Sequence, residues 1–482
     1  MIYTPRPTRK FLWRVFLVAL VLRLVPVLLS YNLGIGLDDM FQYDMLARSL
    51  VSGNGYRWYA QDDLRLVQQY LPLDLSSIAY DPRGVLTAFR PPLYPTFLAL
   101  VYSVFGLGTR RFFFARLVQV VMGSLLPLLT FSLASRFFPN RPRASRLATW
   151  VVVFYPMLVL FPLALATENL FIFLVLASIL VLLRGVERRR PSDFIWFGLL
   201  AGLGALTRSV ILVASGLCLL WLWFFLRERR GALLAATALA VTIAPWIIRN
   251  SLLYHRPAGI EVSLGYNLYM GYHPQSSGTF KYGISLDLLP ILDDDQRDRL
   301  GMQAAVVFIK DNPTRVPSLM VSKLGYFFGL ERRALTYFYS NDFFGYLPLP
   351  ILLLLGGLVL VPFGLVSTSA ALGLGLVPWD RRVWLLATII FGYILPHLLL
   401  LAEERFHLVL VPFLAILAAQ LWDRGWNGLS ERWRTRAGKL ALTLAGLAVV
   451  LLCLNWGLEL WHDADKLALL FGPNGNRTFF PY

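Results

Sequence analysis

Arg90-Pro91-Pro92-Leu93-Tyr94-Pro95 closes a polar segment that opens at Tyr31 and carries Gly36-Leu37-Asp38-Asp39, Tyr43 and Gly53-Asn54-Gly55-Tyr56. Its surroundings are almost all apolar. It sets two adjacent carboxylates just beyond the first apolar run and ends on an arginine. The stretch that follows, 92–106, decides the fold. It is marginal for a bilayer core that takes about 20 helical residues. If it crosses, the cluster Arg136, Arg141, Arg143 and Arg146 falls outside, and so do the later ones in turn. If it lies along the surface, every basic loop returns to the inside. The second reading repairs all loops at once.

Composition agrees. Only 15% of the 482 residues are charged and 57% are hydrophobic, against about 25% charged in soluble domains. The apolar runs are continuous rather than alternating, which excludes a β-barrel. The expected class is an all-α polytopic membrane protein. The net charge of +17 sits in short clusters between runs, so it reports topology rather than nucleic-acid binding. Cys218 and Cys453 each stand alone within apolar runs and read as small buried hydrophobes.

Eleven crossings result, at about 11–30, 112–136, 146–165, 168–184, 194–207, 209–227, 231–248, 347–366, 383–401, 406–422 and 440–460. Arg6, Arg9, Lys10 and Arg14 place the N-terminus in the cytoplasm. The first run has no A-x-A-like cleavage site and reads as an uncleaved span. The chain is then one membrane domain. An extracytoplasmic loop at 31–111 carries a juxtamembrane helix, and six spans fill 112–248. A second extracytoplasmic segment at 249–346 carries an interfacial helix near 316–330, four spans fill 347–460, and a tail covers 461–482. The run Asp293-Asp294-Asp295 reads as a solvated loop, and Arg23 as a snorkelling or packing residue inside the first span.

On this topology the outer ends of the spans collect Asp38, Asp39, Arg90, Glu168, Arg208, Arg249, Glu403, Glu404, Arg405 and His407. Ionisable groups beside hydrocarbon are costly unless paired or functional. Arginines suit a phosphate, which they grip bidentately. A carboxylate suits general-base work on a hydroxyl. Each residue also has a plainer reading. Asp38-Asp39 can cap a helix starting near Met40, Glu168 can be the N-terminal charge of a helix, and Arg90 and Arg249 can be interfacial anchors. Glu403-Glu404-Arg405 can be a local ion pair, and His407 can be structural.

The order of these motifs resembles the GT-C membrane glycosyltransferases, in the branch with protein O-mannosyltransferases and lipid A aminoarabinose transferases (glycosyltransferase family 39-like). The resemblance rests on Leu37-Asp38-Asp39-Met40-Phe41-Gln42-Tyr43, Ala47-Arg48-Ser49-Leu50, Gly53-Asn54-Gly55-Tyr56 and Arg90-Pro91-Pro92-Leu93-Tyr94-Pro95. It continues through Phe105-Gly106, Ala166-Thr167-Glu168-Asn169-Leu170, the run from Leu199 to Arg208, Ala244-Pro245-Trp246-Ile247-Ile248-Arg249-Asn250, and Glu404-Arg405-Phe406-His407 with Pro412-Phe413. The family motif is usually Asp-Glu where this chain has Asp38-Asp39, and Ser209 stands where a proline is common after Leu-Thr-Arg.

The resemblance implies a GT-C-like bundle that takes a sugar from a polyprenyl-phosphate donor. The acceptor, a lipid, glycan or protein, lies on the extracytoplasmic side of a prokaryotic plasma membrane. It implies Asp38, Asp39 and Glu168 as catalytic carboxylates, with Asp38 the base by motif position. Arg90, Arg249 and Arg405 would face the donor phosphate. Tyr56, Tyr94, Tyr266, Asn267, Arg208 and His407 are candidates for the sugar or acceptor pocket. A single displacement inverts the anomeric centre. No cofactor is required if arginines carry the leaving-group charge, with a divalent metal on Asp38 and Asp39 left open. A ligase or polymerase of lipid-linked glycans, and a transporter of lipid-linked sugar, are the rival readings.

Overall fold

The computed structural model describes residues 9–36, 38–71, 73, 75, 79–332 and 347–472. Parts of the expected 249–346 and 461–482 segments, namely 333–346 and 473–482, lie outside the described residues, as do Leu37 and Arg6. In chain order the helices are α1 (Arg9–Leu29), α2 (Asp39–Val51), α3 (Gln61–Val67), α4 (Leu93–Phe105), α5 (Arg111–Phe137), α6 (Pro142–Phe154), α7 (Pro156–Leu160), α8 (Glu168–Arg188), α9 (Pro191–Ala205) and α10 (Ile211–Leu220). They continue with α11 (Arg229–Leu253), α12 (Leu264–Tyr272), α13 (Tyr282–Ser285), α14 (Asp294–Asp311), α15 (Arg315–Phe327), α16 (Leu349–Leu376), α17 (Arg381–Leu399), α18 (Val411–Trp433), α19 (Arg436–His462) and α20 (Ala464–Leu470). The protein is an all-α, multi-pass integral membrane protein.

Seven described helices are long and apolar enough to cross a membrane: α1, α5, α8, α11, α16, α17 and α19. Pro142–Phe154 and Pro156–Leu163 make an eighth as a pair bent by 54°. The other three expected crossings fall on elements that length and composition alone do not qualify. These are α9, with 15 residues, the stretch Ile211–Phe225, and α18. α18 is buried on every side from Val411 to Gln420, so it runs through the middle of the bundle rather than along its lipid face.

The bend in the fourth apolar run has a local cause. Pro156 has no N–H, so the Val152 carbonyl loses its helical donor. Arg23 supplies one, donating Nη2 to Val152 O at 3.0 Å and Nη1 to Val153 O at 3.4 Å. Arg23 is fully buried; it is the packing residue of the two readings the sequence allowed. Close helix contacts are made where side chains vanish. A Cβ at Gly198 of α9 would lie 2.1 Å from Ala235 O of α11, and one at Gly373 of α16 would lie 2.0 Å from Leu417 O of α18.

α4 is 13 residues long, about 20 Å, short of the roughly 30 Å hydrocarbon core. It buries Tyr94, Leu98 and Tyr102 against α2 and α5 and leaves Leu100 and Val104 exposed. In the loop before it, a two-stranded ribbon pairs Arg57 with Leu86 and Trp58 with Val85. Trp58 joins an aromatic cluster with Tyr56, Tyr59, Phe89 and Tyr266. α15 buries Leu319, Lys323 and Phe327 and exposes Val321 and Leu324, an amphipathic helix spanning most of the stretch expected to be interfacial.

Candidate active site

The site is assembled from three chain segments. α2 provides the carboxylates. Asp38 is its N-cap, accepting from Met40 N at 2.8 Å, and Asp39 sits in the first turn. Helix N-termini favour negative charge there. The loop leading in is held by Arg116 of α5, fully buried, which donates to Gly34 O at 2.7 Å and Leu163 O at 2.8 Å. Its neighbour Gln119 donates to Pro162 O at 3.0 Å and Ala164 O at 3.1 Å. One helix thus fixes both the approach to Asp38 and the approach to Glu168.

Arg90 comes from the loop before α4. The two prolines after it fix its backbone, and Tyr56 donates its hydroxyl to Arg90 O at 3.0 Å and Pro91 O at 3.1 Å. Leu93 N bonds Leu206 O at 2.9 Å, which ties this loop to the end of α9 beside Arg208. Arg405 comes from a 3-10 turn, Glu404–Val409, between α17 and α18.

The three segments meet at Asp39. Arg90 pairs with Oδ1, and Arg405 Nη2 donates to Oδ2 at 2.9 Å. Arg90 Nε also donates to Gln42 at 2.8 Å, and its guanidinium lies 5.5 Å from the Tyr43 ring centre. Arg405 sits 2.9 Å from Glu403 and lies over Phe406. Arg208 also lies over that ring, 4.7 Å from its centre, and bonds Glu168 Oε1 at 2.5 Å. Each of the three arginines meets a carboxylate, Arg208 on Glu168 and Arg405 and Arg90 on Asp39, as buried charge requires.

Asp38 and Asp39 therefore differ in chemistry. Burial alone would raise Asp39, but the guanidiniums of Arg90 and Arg405 outweigh it and hold the carboxyl well below the usual carboxylate range. Desolvation and the adjacent Asp39 charge push Asp38 up. Asp38 keeps an exposed face. One carboxylate is held ionised between two guanidiniums, and the other is the more readily protonated of the pair.

The remaining sequence candidates are dispersed. Arg249 donates to Thr87 O at 2.7 Å and Asn250 Oδ1 at 3.0 Å and stacks near Trp246 and Tyr56; it is not in the Asp39 cluster. Tyr94 is buried, donating to Gln119 at 2.6 Å. Tyr266 packs edge-on against Phe89 beside Arg90. Asn267 reaches Ser263 at 3.4 Å. His407 is fully buried, 2.8 Å from Phe327 O and 3.1 Å from Glu331, stacked on Phe363. The run Asp293–Asp295 is not a solvated loop. Asp293 caps α14, and buried Asp294 accepts from Thr87 at 2.5 Å and Ala88 N at 3.0 Å while pairing with Arg297. It anchors the loop that carries Arg90.

Gln42 and Tyr43 were in the quoted motif but had no assigned role. Spacing of three and four from Asp39 puts them on its face of α2. Asp294 could have been found from Asp293 and Gln296, an N-cap and its partner three residues on.

The structure of the oligosaccharyltransferase from Archaeoglobus fulgidus in the apo form aligns with 98% of this chain at a TM-score of 0.50 and 13% identity. The chain has the GT-C glycosyltransferase fold. This GT-C chain spans 60% of the archaeal one. The same enzyme in complex with Zn and sulfate aligns at 0.50 with 14% identity, over 98% of this chain and 57% of that one. ArnT from Cupriavidus metallidurans bound to undecaprenyl phosphate aligns at 0.40 with 15% identity, over 88% and 80% of the two chains. A family model described as dolichyl-phosphate-mannose-protein mannosyltransferase matches residues 89–248, about a third of the sequence. That match contains Arg90, Glu168 and Arg208. No curated protein matches the sequence.

Proposed function

We propose that this GT-C chain transfers a sugar from a polyprenyl-phosphate donor to an acceptor on the extracytoplasmic side of the membrane. The carrying observation is the pair of arginines closed on Asp39, with exposed Asp38 one residue away. The matched family model names a polyprenyl-type phosphate sugar, dolichyl-phosphate-mannose, in its description, which supports that donor class.

In this reading the donor phosphate lies at the membrane surface against Arg90 and Arg405. The acceptor hydroxyl attacks the anomeric carbon as the sugar–phosphate C–O bond breaks. The proton goes to Asp38, and the electron pair leaves with the phosphate. The two guanidiniums neutralise that developing charge, Asp39 keeps them aimed, and Glu168 does the same for Arg208. A single displacement inverts the anomeric centre. With the leaving-group charge met by arginine, no metal or cofactor is required. Asp38 and Asp39 are the ligands a divalent ion would use, but it would compete with two guanidiniums for Asp39.

Purified protein mixed with a panel of polyprenyl-phosphate sugars tests the reading. Binding or slow hydrolysis of one donor, lost in Arg90→Ala, supports it and names the sugar. Passage of the intact lipid across a vesicle without sugar release would replace it with transport. Unchanged turnover in a chelator excludes the metal.

A further inference from the structure

At the far end of α8, one helix length from Glu168, a second polar site is built on the opposite face of the protein. α8 has 21 residues, about 30 Å. It turns through Arg189, in the left-handed region at φ 53°, into α9. Gly185 lets the hairpin close, since a Cβ there would meet Asp193 and Phe194 at 3.2–3.3 Å. The cleft between the helices has a volume of about 400 Å³ and is lined by Val181, Arg184, Arg188, Arg190, Asp193 and Trp196, with Ser192 and Leu200.

The lining is ordered by depth. Charges crowd the helix ends. Trp196, 57% exposed, lies one turn inward on α9, with Leu200 beyond it. Val181 lies one turn inward on α8. A tryptophan at that level marks a membrane interface. None of Arg184, Arg188 and Arg190 has an ion-pair partner among the described residues, whereas nearby Glu187 is taken by Arg136. Three guanidiniums therefore face one carboxylate. That carboxylate, Asp193, is 92% buried by its 8% exposure, and its Oδ2 has no hydrogen-bond donor; Arg184 Nε is likewise buried without an acceptor. A buried polar atom left unpaired costs free energy, and here two of opposite need line one cleft.

We infer that this cleft holds the headgroup of an anionic glycerophospholipid bearing a free hydroxyl, of the phosphatidylglycerol class. The phosphodiester sits among the arginines. The headgroup hydroxyl donates to the Asp193 carboxylate. The glycerol and first acyl carbons run down Trp196, Leu200 and Val181 into the bilayer. The excess of guanidinium favours an anionic lipid over a zwitterionic one. The inference does not depend on the transfer reaction, because none of these residues reaches the Asp39 cluster.

Native mass spectrometry of the full chain in detergent, titrated with phosphatidylglycerol, phosphatidylcholine, phosphatidylethanol or soluble glycerol 1-phosphate, tests it. One phosphatidylglycerol should be retained about tenfold more tightly than phosphatidylcholine, and Arg188→Ser with Arg190→Ser should erase that margin. Asp193→Ala should remove the preference over phosphatidylethanol, which lacks the hydroxyl. Equal retention of all lipids, or an unchanged double variant, overturns the inference. So does displacement by glycerol 1-phosphate at equal affinity, which would make the ligand a soluble anion. A photoactivatable phosphatidylglycerol on the unmodified protein gives an independent readout. It should label the α8–α9 hairpin, and labelling elsewhere only rules the site out.

Discussion

Asp39 and Arg405 meet, Oδ2 to Nη2 at 2.9 Å, across 366 residues of chain. Arg90 closes the other carboxylate oxygen. The contact couples the segment that follows α1 to the turn before α18, so the two arginines are held apart at a spacing that Asp39 sets. Replacing Arg405 by Ala should lower kcat by about 10²–10³, the usual loss when a charge-stabilising donor is removed. Lysine should recover only part, because a single ammonium cannot reproduce the guanidinium fork. Initial rates with a labelled donor decide it; full recovery by lysine would mean that charge alone matters.

In the proposed reaction Asp38 has two separable jobs, helix cap and base. Asparagine caps a helix as well as aspartate does, so Asp38→Asn keeps the bond to Met40 N while removing the base. Donor affinity and melting should be near normal, and kcat should fall by about 10²–10⁴. Turnover near that of the native protein would move the base elsewhere.

Activity should depend on pH through Asp38, which must be deprotonated to act. Desolvation and the Asp39 charge both raise its carboxyl, so the acid limb of kcat should lie above the roughly 3.9 of a free aspartate. Asp39→Asn removes one of the raising causes and leaves Arg405, which lowers it. The limb should shift to lower pH, even as the rate falls from the loosened arginines. A limb that stays in place belongs to another group.

Glu168 and Arg208 form a pair whose carboxylate is 2% exposed and whose guanidinium is 17% exposed. Glu168→Gln leaves Arg208 without its counter-charge, which costs about 3–5 kcal/mol in a buried pair. A lower melting temperature in detergent is expected. Adding Arg208→Met should restore melting but not activity. Restored activity would make the pair purely structural.

Arg23→Met tests the bend in the α6–α7 pair. The Val152 and Val153 carbonyls would lose their donor, at about 1–3 kcal/mol for each group left unsatisfied. Melting should drop while turnover per folded molecule holds. Unchanged melting would mean that another group takes over those carbonyls.

Much of the architecture was legible in linear order. Continuous apolar runs can only be helices in a bilayer, because every backbone group must be satisfied within the segment. The 13-residue α4 was legible as a short apolar helix, below the length of a span. Asp39 and Arg90 could be singled out because charge beside hydrocarbon needs a reason. Three limits came from the same source. The sequence counted α9, Ile211–Phe225 and α18 among eleven crossings, yet their length and composition do not qualify them, and for α18 the reason is that a helix surrounded by protein need not meet the rules for one surrounded by lipid. Asp294 looked solvated because its partners, Thr87 and Ala88, lie more than two hundred residues away. Arg405 and Arg249 looked equivalent as outer-end arginines, yet Arg405 reaches Asp39 and Arg249 turns to Thr87 O.

The sequence by itself determined the membrane class, the helical content and the inventory of charges at the span ends, because these follow from local hydropathy and charge. Tertiary structure alone decided which arginine meets which carboxylate. It thereby clamped Asp39 between two guanidiniums and left Asp38 outside that clamp, capping α2. The reason is physical: a pKa and an ion pair depend on what lies within a few ångströms in space. Here those neighbours come from chain positions as far apart as 39 and 405.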